Sequence, residues 1–329
     1  ILLSTLMGGL SGSSLADAAM QCKMLVPTME SKGYSKSFST VITAASGMVV
    51  PLIPPGVGLI IYGCINNISI GKLFIAGIGP GIVLCVTLMI FTHFLSKKRG
   101  YLPSRTTKIP VSEKIAAVRP AFLPLLLPII IIGGVRIGVF TASEAGTVAI
   151  VYAVLLGLLY KELTLKNVMQ GCKETVTTTA SIMLIVAAAT CFSWILTKEQ
   201  IPQQFSQWMI SNIHNKYVFL IMVNIFLLIV GMFIEGNASM IVLAPLLHPV
   251  AMAYGIDDIH FAMVYIFNCT IGAFTPPMGT LMFVSCGITK CPTKDFIKEA
   301  VPFYILFAID IIVLTYIPQL TTFLVNVFY

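Results

Sequence analysis

Charge is the scarcest property of this sequence. Only 10% of the 329 residues are Asp, Glu, Lys or Arg, while 57% are hydrophobic. Soluble domains carry about 25% charged residues. A hydrated globular surface is therefore excluded, and a polytopic membrane protein is indicated. Histidine is nearly absent, and none of the four residues forms an HExxH pair, so zinc hydrolysis of that kind lacks support. No Gly-rich phosphate loop ending in Gly-Lys-Ser/Thr occurs, so ATP does not drive this chain directly. The eight cysteines make no CxxC pair or Cys/His cluster and read as small apolar packing residues. No DDxxD-like acid pair supports a membrane-embedded prenyl or acyl transferase. The Asn67, Asn237 and Asn268 sequons fall in or beside apolar stretches and read as chance. The chain opens on Ile in mid-segment and reads as part of a longer protein.

What the sequence does contain is a repeated interruption. FTPPMGTLMF (274–283) and IPPGVGLIIYG (53–63) each place two prolines inside an apolar run. Proline removes a backbone donor and clashes with the preceding turn, costing roughly 3 kcal/mol inside a helix. At an offset of 222 residues, Pro54 and Pro55 fall on Pro276 and Pro277. Pro27 then meets Pro249, Gly33 meets Gly255, and Pro80 meets Pro302, with no gap. Each half thus holds one unit: a tip, a helix, a proline-broken helix and a further helix. The tips are GGLSGSSLAD (8–17) and GMFIEGNASM (231–240). Ser14 and Asn237 are the expected N-caps of the helices that follow them. The apolar arms flanking each tip are shorter than the roughly 20 residues a span needs, which predicts re-entrant hairpins.

Hydropathy predicts a broken span over 38–68, then spans at 74–96, 120–138, 143–160 and 176–197. An amphipathic arm (201–213) precedes the second hairpin at 216–254. A second broken span covers 258–289 and a last span 301–325. Tracing the crossings puts 16 of the 20 Lys and Arg on one side, the cytoplasmic side by the positive-inside rule. The two hairpins then enter from opposite faces, so the repeats are inverted. The fold class is an all-α polytopic membrane protein with inverted repeats, two re-entrant hairpins and two proline-broken transmembrane helices. The boundaries are a first repeat over 1–96, a basic cytoplasmic loop over 97–119, scaffold helices and an interfacial arm over 120–215, and a second repeat over 216–329. The basic loop suits contact with anionic lipid, and nothing indicates nucleic-acid binding.

Inverted repeats with helices broken at matched positions point to a secondary transporter's midplane site. A break frees carbonyls as Na⁺ ligands and creates a half-helix N-terminus that attracts a carboxylate. The candidate substrate-binding residues are Ser11, Gly12, Ser13, Ser14 and Asp17 at the first tip, with Pro54 and Pro55. Their counterparts are Gly236, Asn237, Pro276 and Pro277. Thr275 offers a hydroxyl before the second proline pair, where the first half has Ile53, so the two sites differ chemically.

GLSGSSLADAA (9–19), the IPPG and TPPMG breaks and GVFTASEAG (138–146) together resemble the large membrane subunit of tripartite ATP-independent periplasmic (TRAP) transporters. The resemblance covers the whole chain. It implies Na⁺-driven uptake of an organic acid delivered by a periplasmic binding protein, across a bacterial inner membrane. It further implies an elevator motion of a hairpin-bearing transport domain, and a small membrane (Q) subunit, separate or fused. It places one Na⁺ site at Gly231, Gly272, Thr275 and Met278. The repeat offset carries this set to Gly9, Val50, Ile53 and Gly56. Gly56 departs from a family pattern that often has Ser there. Sialic acid and C4-dicarboxylates are the family's main substrate classes, and overall likeness favours sialic acid. A membrane-embedded transferase and a passive channel are the competing functions.

Among the remaining ionisable groups, Asp17 is suited to complementing a helix N-terminus or attracting an ion. Glu235 is expected to face substrate or external water, with water favoured. Arg136 is expected to snorkel at the external surface or to meet an anionic substrate. Asp310 has no evident partner in the sequence.

Overall fold

The computed structural model describes residues 1–101 and 121–329, and most of the basic loop lies outside the described residues. All regular structure among the described residues is helical. The first half runs α1 (Leu2–Ser11), α2 (Ser14–Glu30), α3 (Lys36–Gly47), α4 (Val57–Asn66) and α5 (Ile70–Lys98). The connecting region holds α6 (Phe122–Arg136), α7 (Ala142–Leu159), α8 (Leu165–Lys198) and α9 (Ile201–Asn212). The second half runs α10 (Lys216–Phe233), α11 (Gly236–Ala253), α12 (Asp258–Gly272), α13 (Thr280–Thr289), α14 (Thr293–Tyr316) and α15 (Gln319–Phe328). Among the described residues, five helices (α5, α7, α8, α10 and α11) are long and apolar enough to cross a membrane, or six spans if the bent pair α14–α15 counts as one.

The helix boundaries follow local chemistry. Ser13, Ser35 and Ser69 cap α2, α3 and α5, while Glu235 and Asp257 cap α11 and α12. α7 begins with a capping box in which Thr141 and Glu144 satisfy each other's backbone N–H groups. Prolines stand inside α2, α5, α6, α11 and α14, as membrane helices tolerate when neighbours satisfy the freed backbone groups. Two expected caps need correcting. Ser13, not Ser14, accepts the N–H of Ala16 at 3.4 Å. Glu235, not Asn237, accepts the N–H of Ala238 at 3.1 Å. Each tip holds several cap-competent residues, and the one with extended φ/ψ takes the position. The last segment is also not one straight span: α14 and α15 meet at 50° around Ile317 and Pro318.

The 222-residue offset holds for the elements. α2, α3 and α4 fall on α11, α12 and α13. The packing is exchanged between the halves: α2 lies against α13, and α11 lies against α4. The core between them is apolar and aromatic, with Phe38, Tyr62, Tyr265, Phe274, Phe296 and Phe307 fully buried. Five of the eight cysteines are buried and all eight are free thiols, in keeping with a packing role. By contrast, α7 and α8 are largely exposed, apolar side chains included.

Buried polar groups pin helices distant in sequence. Asp310 on α14 accepts a 3.0 Å hydrogen bond from Thr87 on α5, which supplies the partner the sequence did not reveal. Asn268 on α12 donates to the Asn224 side chain on α10 at 2.8 Å, and Asn224 donates to Thr315 on α14 at 3.0 Å. His260 lies between the Thr321 hydroxyl and the Thr315 carbonyl, at 2.9 and 3.2 Å. Arg136 places its guanidinium 4.4 Å from the Phe328 ring centroid, an aromatic partner that neither expectation for it included.

Candidate functional site: a cavity between two tips and two breaks

Each tip packs on the break of its own half. At the first, the N–H of Val57 donates to the Gly12 carbonyl at 3.4 Å. Gly12 has φ +60°, and a Cβ there would lie 2.6 Å from the Pro55 oxygen. Only glycine adopts this conformation at such close approach without strain. Gly9 sits beneath, its would-be Cβ 3.5 Å from the Pro54 oxygen, and that of Gly8 3.1 Å from the Val50 Cα. A Cβ on Gly56 would overlap the Pro51 carbonyl.

The second half repeats the arrangement with a closer backbone contact. A Cβ on Gly272 would lie 2.6 Å from the Gly231 Cα, so α10 and α12 touch through bare backbone. A Cβ on Gly279 would lie 2.7 Å from both the Ala273 and the Thr275 carbonyl oxygens. These two carbonyls therefore converge inside the break. The Thr275 hydroxyl donates to the Ile271 carbonyl at 2.8 Å, which leaves its oxygen lone pairs to accept or to coordinate. Met278 differs from the rest of its set, with a side chain 56% exposed. Both proline pairs, Pro54–Pro55 and Pro276–Pro277, are joined by cis peptide bonds.

Between the tips lies a cavity of about 480 Å³. It brings together Gly12, Ser13 and Ser14 of the first tip and Glu235, Gly236 and Asn237 of the second. Pro51 and Val57 line it from the first break, and Ala273 and Thr280 from the second. Ser11, Asp17, Pro54, Pro55, Pro276 and Pro277 are not among the lining residues. Asp17 is buried, with both carboxylate oxygens taken by the Gln21 amide at 2.9 and 2.8 Å; Gln21 accepts in turn from Ser4 at 2.9 Å. That chain ties α1 to α2, so Asp17, in the first turn of α2, also braces the pair of helices. Glu235, expected to face water, is half-buried on the cavity wall as the cap of α11.

The sequence reading missed the contribution of α8. Thr177, Thr178 and Ser181 line the cavity beside α11. The available signal was the hydroxyl run TVTTTAS within an otherwise apolar span. No group of three or more His, Cys, Asp or Glu able to hold a metal occurs among the described residues.

Among the described residues, an all-helical architecture with several apolar helices and an internal repeat indicates a multi-pass membrane protein. The chain belongs to the DctM component family of tripartite ATP-independent periplasmic transporters, whose family model matches residues 1–320. It is 40% identical over its whole length to the sialic acid TRAP transporter large permease protein SiaM of Vibrio cholerae, covering 77% of that protein. It is 36% identical over 98% of its length to the sialic acid TRAP transporter permease protein SiaT of Haemophilus influenzae, covering 52% of it. It is also 36% identical, over 99% of its length, to the C4-dicarboxylate TRAP transporter large permease protein DctM of Pseudomonas aeruginosa, covering 76% of it.

Proposed function

We propose that this chain is the permease of a Na⁺-coupled importer of an organic acid, working by an elevator motion in a bacterial inner membrane. The observation that carries this reading is the convergence of both tips and both breaks on one cavity. Two half-helix N-termini meet there, and such termini attract carboxylates. Tips that end in the protein interior support re-entrant hairpins, since non-helical backbone at membrane depth must be covered by protein or line a cavity. The exchanged packing of the repeats supports a transport domain formed by 1–96 and 216–329. Residues 120–215 serve as the scaffold, and the charge bias puts the two hairpins on opposite faces.

Na⁺ binds in the second half at Gly231, Gly272, Thr275 and Met278, where converging carbonyls and the Thr275 oxygen suit a hard cation. The first half binds a second ion at Gly9, Val50, Ile53 and Gly56 through backbone alone. The substrate arrives from a periplasmic binding protein, and a small Q subunit completes the membrane unit. A single protein named as both M and Q components, the isethionate TRAP transporter permease protein DctMQ of Oleidesulfovibrio alaskensis, is 33% identical to this chain.

Uptake of labelled sialic acid and of succinate into proteoliposomes holding the complete transporter tests the proposal. Accumulation is expected only with binding protein outside and an inward Na⁺ gradient. Flux without saturation or Na⁺ dependence would instead favour the passive channel, and failure with both acids would remove the importer reading.

A further inference from the structure

We propose that the protein binds the phosphate of an anionic phospholipid in a second cavity, between the start of α5 and the end of α6. That cavity is open to the surface and has a volume of about 520 Å³. It shares no lining residue with the cavity between the tips.

Charge singles out this corner. Only four Lys or Arg fall on the side opposite the basic loop, namely Lys72, Arg136, Lys198 and Lys216. Short external segments of membrane proteins are poor in cations, yet Lys72 and Arg136 come together here. Arg136 lines the cavity, with its guanidinium 4.4 Å from the Phe328 ring centroid. Lys72 places its Nζ 5.9 Å from the ring centroid of Tyr329, which also lines the cavity. The end of α15 thus sets one ring against each cation. Neither cation has a carboxylate within 4 Å among the described residues. No Asp or Glu is among the described residues lining the cavity. The charge of this pair is therefore left for a ligand to balance.

The neighbouring wall supplies donors. Ser69, Ile70 and Gly71 line it at the start of α5, where the first-turn N–H groups lack intrahelical partners. Ser69 accepts from the Lys72 N–H at 3.4 Å, which leaves its hydroxyl proton to donate. Two carbonyls of the wall are already engaged: Gly63 accepts from the Ile68 N–H at 2.9 Å and Val135 from the Gly138 N–H at 3.3 Å. Asn67 and Tyr329 can each donate as well as accept. Glu144 is the one acid in the first turns of α5 and α7. It lies off the lining and accepts from the Thr141 N–H at 2.7 Å and the Thr141 hydroxyl at 2.9 Å. A guanidinium fork, an ammonium and a helix N-terminus together suit a phosphate.

The surroundings suit a lipid phosphate. Ile137 and Val139, directly after Arg136, are exposed, as is Phe328, so acyl chains find apolar surface beside the cations. Aromatic rings of this kind collect at the headgroup level of a membrane. The lack of a lining acid chooses the headgroup. The ammonium of phosphatidylethanolamine would find no carboxylate, whereas phosphatidylglycerol carries negative charge alone.

Native mass spectrometry of the purified complete transporter tests the proposal. The protein is titrated with phosphatidylglycerol, phosphatidylethanolamine and diacylglycerol of the same acyl chains. The first phosphatidylglycerol is expected to bind about tenfold or more tightly than either of the others. Arg136→Gln and Lys72→Gln are each expected to weaken it about tenfold. Arg136→Lys is expected to weaken it less, because it keeps the charge and loses only the fork. Equimolar inorganic phosphate is expected not to displace it. Melting temperatures without added lipid show which variants fold, and either cation decides the matter if substitution of the other unfolds the protein. Equal binding of the three lipids, or phosphatidylglycerol binding that neither cation variant weakens, overturns the inference. Displacement by equimolar inorganic phosphate would make this a site for free anions and overturns the lipid assignment. Variants that keep the lipid but lose affinity for the periplasmic binding protein would assign the cations to an acidic protein surface instead.

Discussion

Thr275 precedes the second proline pair and Ile53 the first; Glu235 caps the second return helix and Ser13 the first. The backbones of the two halves match element for element, while the side chains at matched positions do not. Backbone geometry builds two breaks and two tips. Side-chain chemistry then makes one break hydroxyl-bearing and the other apolar, and caps one return helix with a carboxylate and the other with a hydroxyl. Duplication thus supplies the cavity, and divergence gives it a direction.

The harshest way to break the comparison is at the helix contact without side chains. Gly272→Val is expected to abolish Na⁺-driven uptake and to cost on the order of 1–3 kcal/mol of stability, as overpacking does. Uptake assays with thermal unfolding of the purified protein check this, and near-normal uptake would show that α10 and α12 need not touch. Next comes the hydroxyl difference. Thr275→Ala is expected to raise the half-saturating Na⁺ concentration about tenfold, the loss of roughly 1.4 kcal/mol of ion binding. Ile53→Thr, which makes the first break resemble the second, is expected to lower it or leave it unchanged. An unaltered Na⁺ dependence in Thr275→Ala would move the ion elsewhere. Ser13→Ala removes a cap worth about 1 kcal/mol and a donor facing the cavity, so both the melting temperature and substrate affinity should fall modestly. Glu235→Ala is expected to lose its cap by a similar amount, and equal falls in melting temperature in the two variants would show that the tips are held alike despite their different caps. The smallest effect is expected for Gly236→Ala. A Cβ there meets only Cys269 Cβ at 3.5 Å and Met240 Cε at 4.0 Å, so the melting temperature should stay within error of the unaltered protein.

Much of this arrangement was legible in the sequence because proline and glycine report backbone geometry locally. The matched pairs at 54–55 and 276–277 located both breaks, and the Gly/Ser/Asn tips located both helix starts to within two residues. Three kinds of feature were not legible. Cap identity depends on which of several adjacent polar residues adopts extended backbone, so Ser13 and Glu235 displaced Ser14 and Asn237. Long-range pairs leave no local trace: Thr87 meets Asp310 across 223 positions. Helix orientation about its own axis depends on packing, so nothing in TVTTTAS said that Thr177, Thr178 and Ser181 would face the cavity. The bend at Ile317 and Pro318 was signalled only by a single proline in a run that was read as continuous.

The exchanged packing of α2 on α13 and of α11 on α4 has a mechanical consequence. Each hairpin's return arm is clasped by the half-helix that follows the other hairpin's break. Neither repeat can be withdrawn without prising open both clasps. Each tip is thereby packed, through its return arm, against the element that follows the opposite break. Such a lock is what the proposed elevator motion would need, since both tips and both breaks would have to travel together.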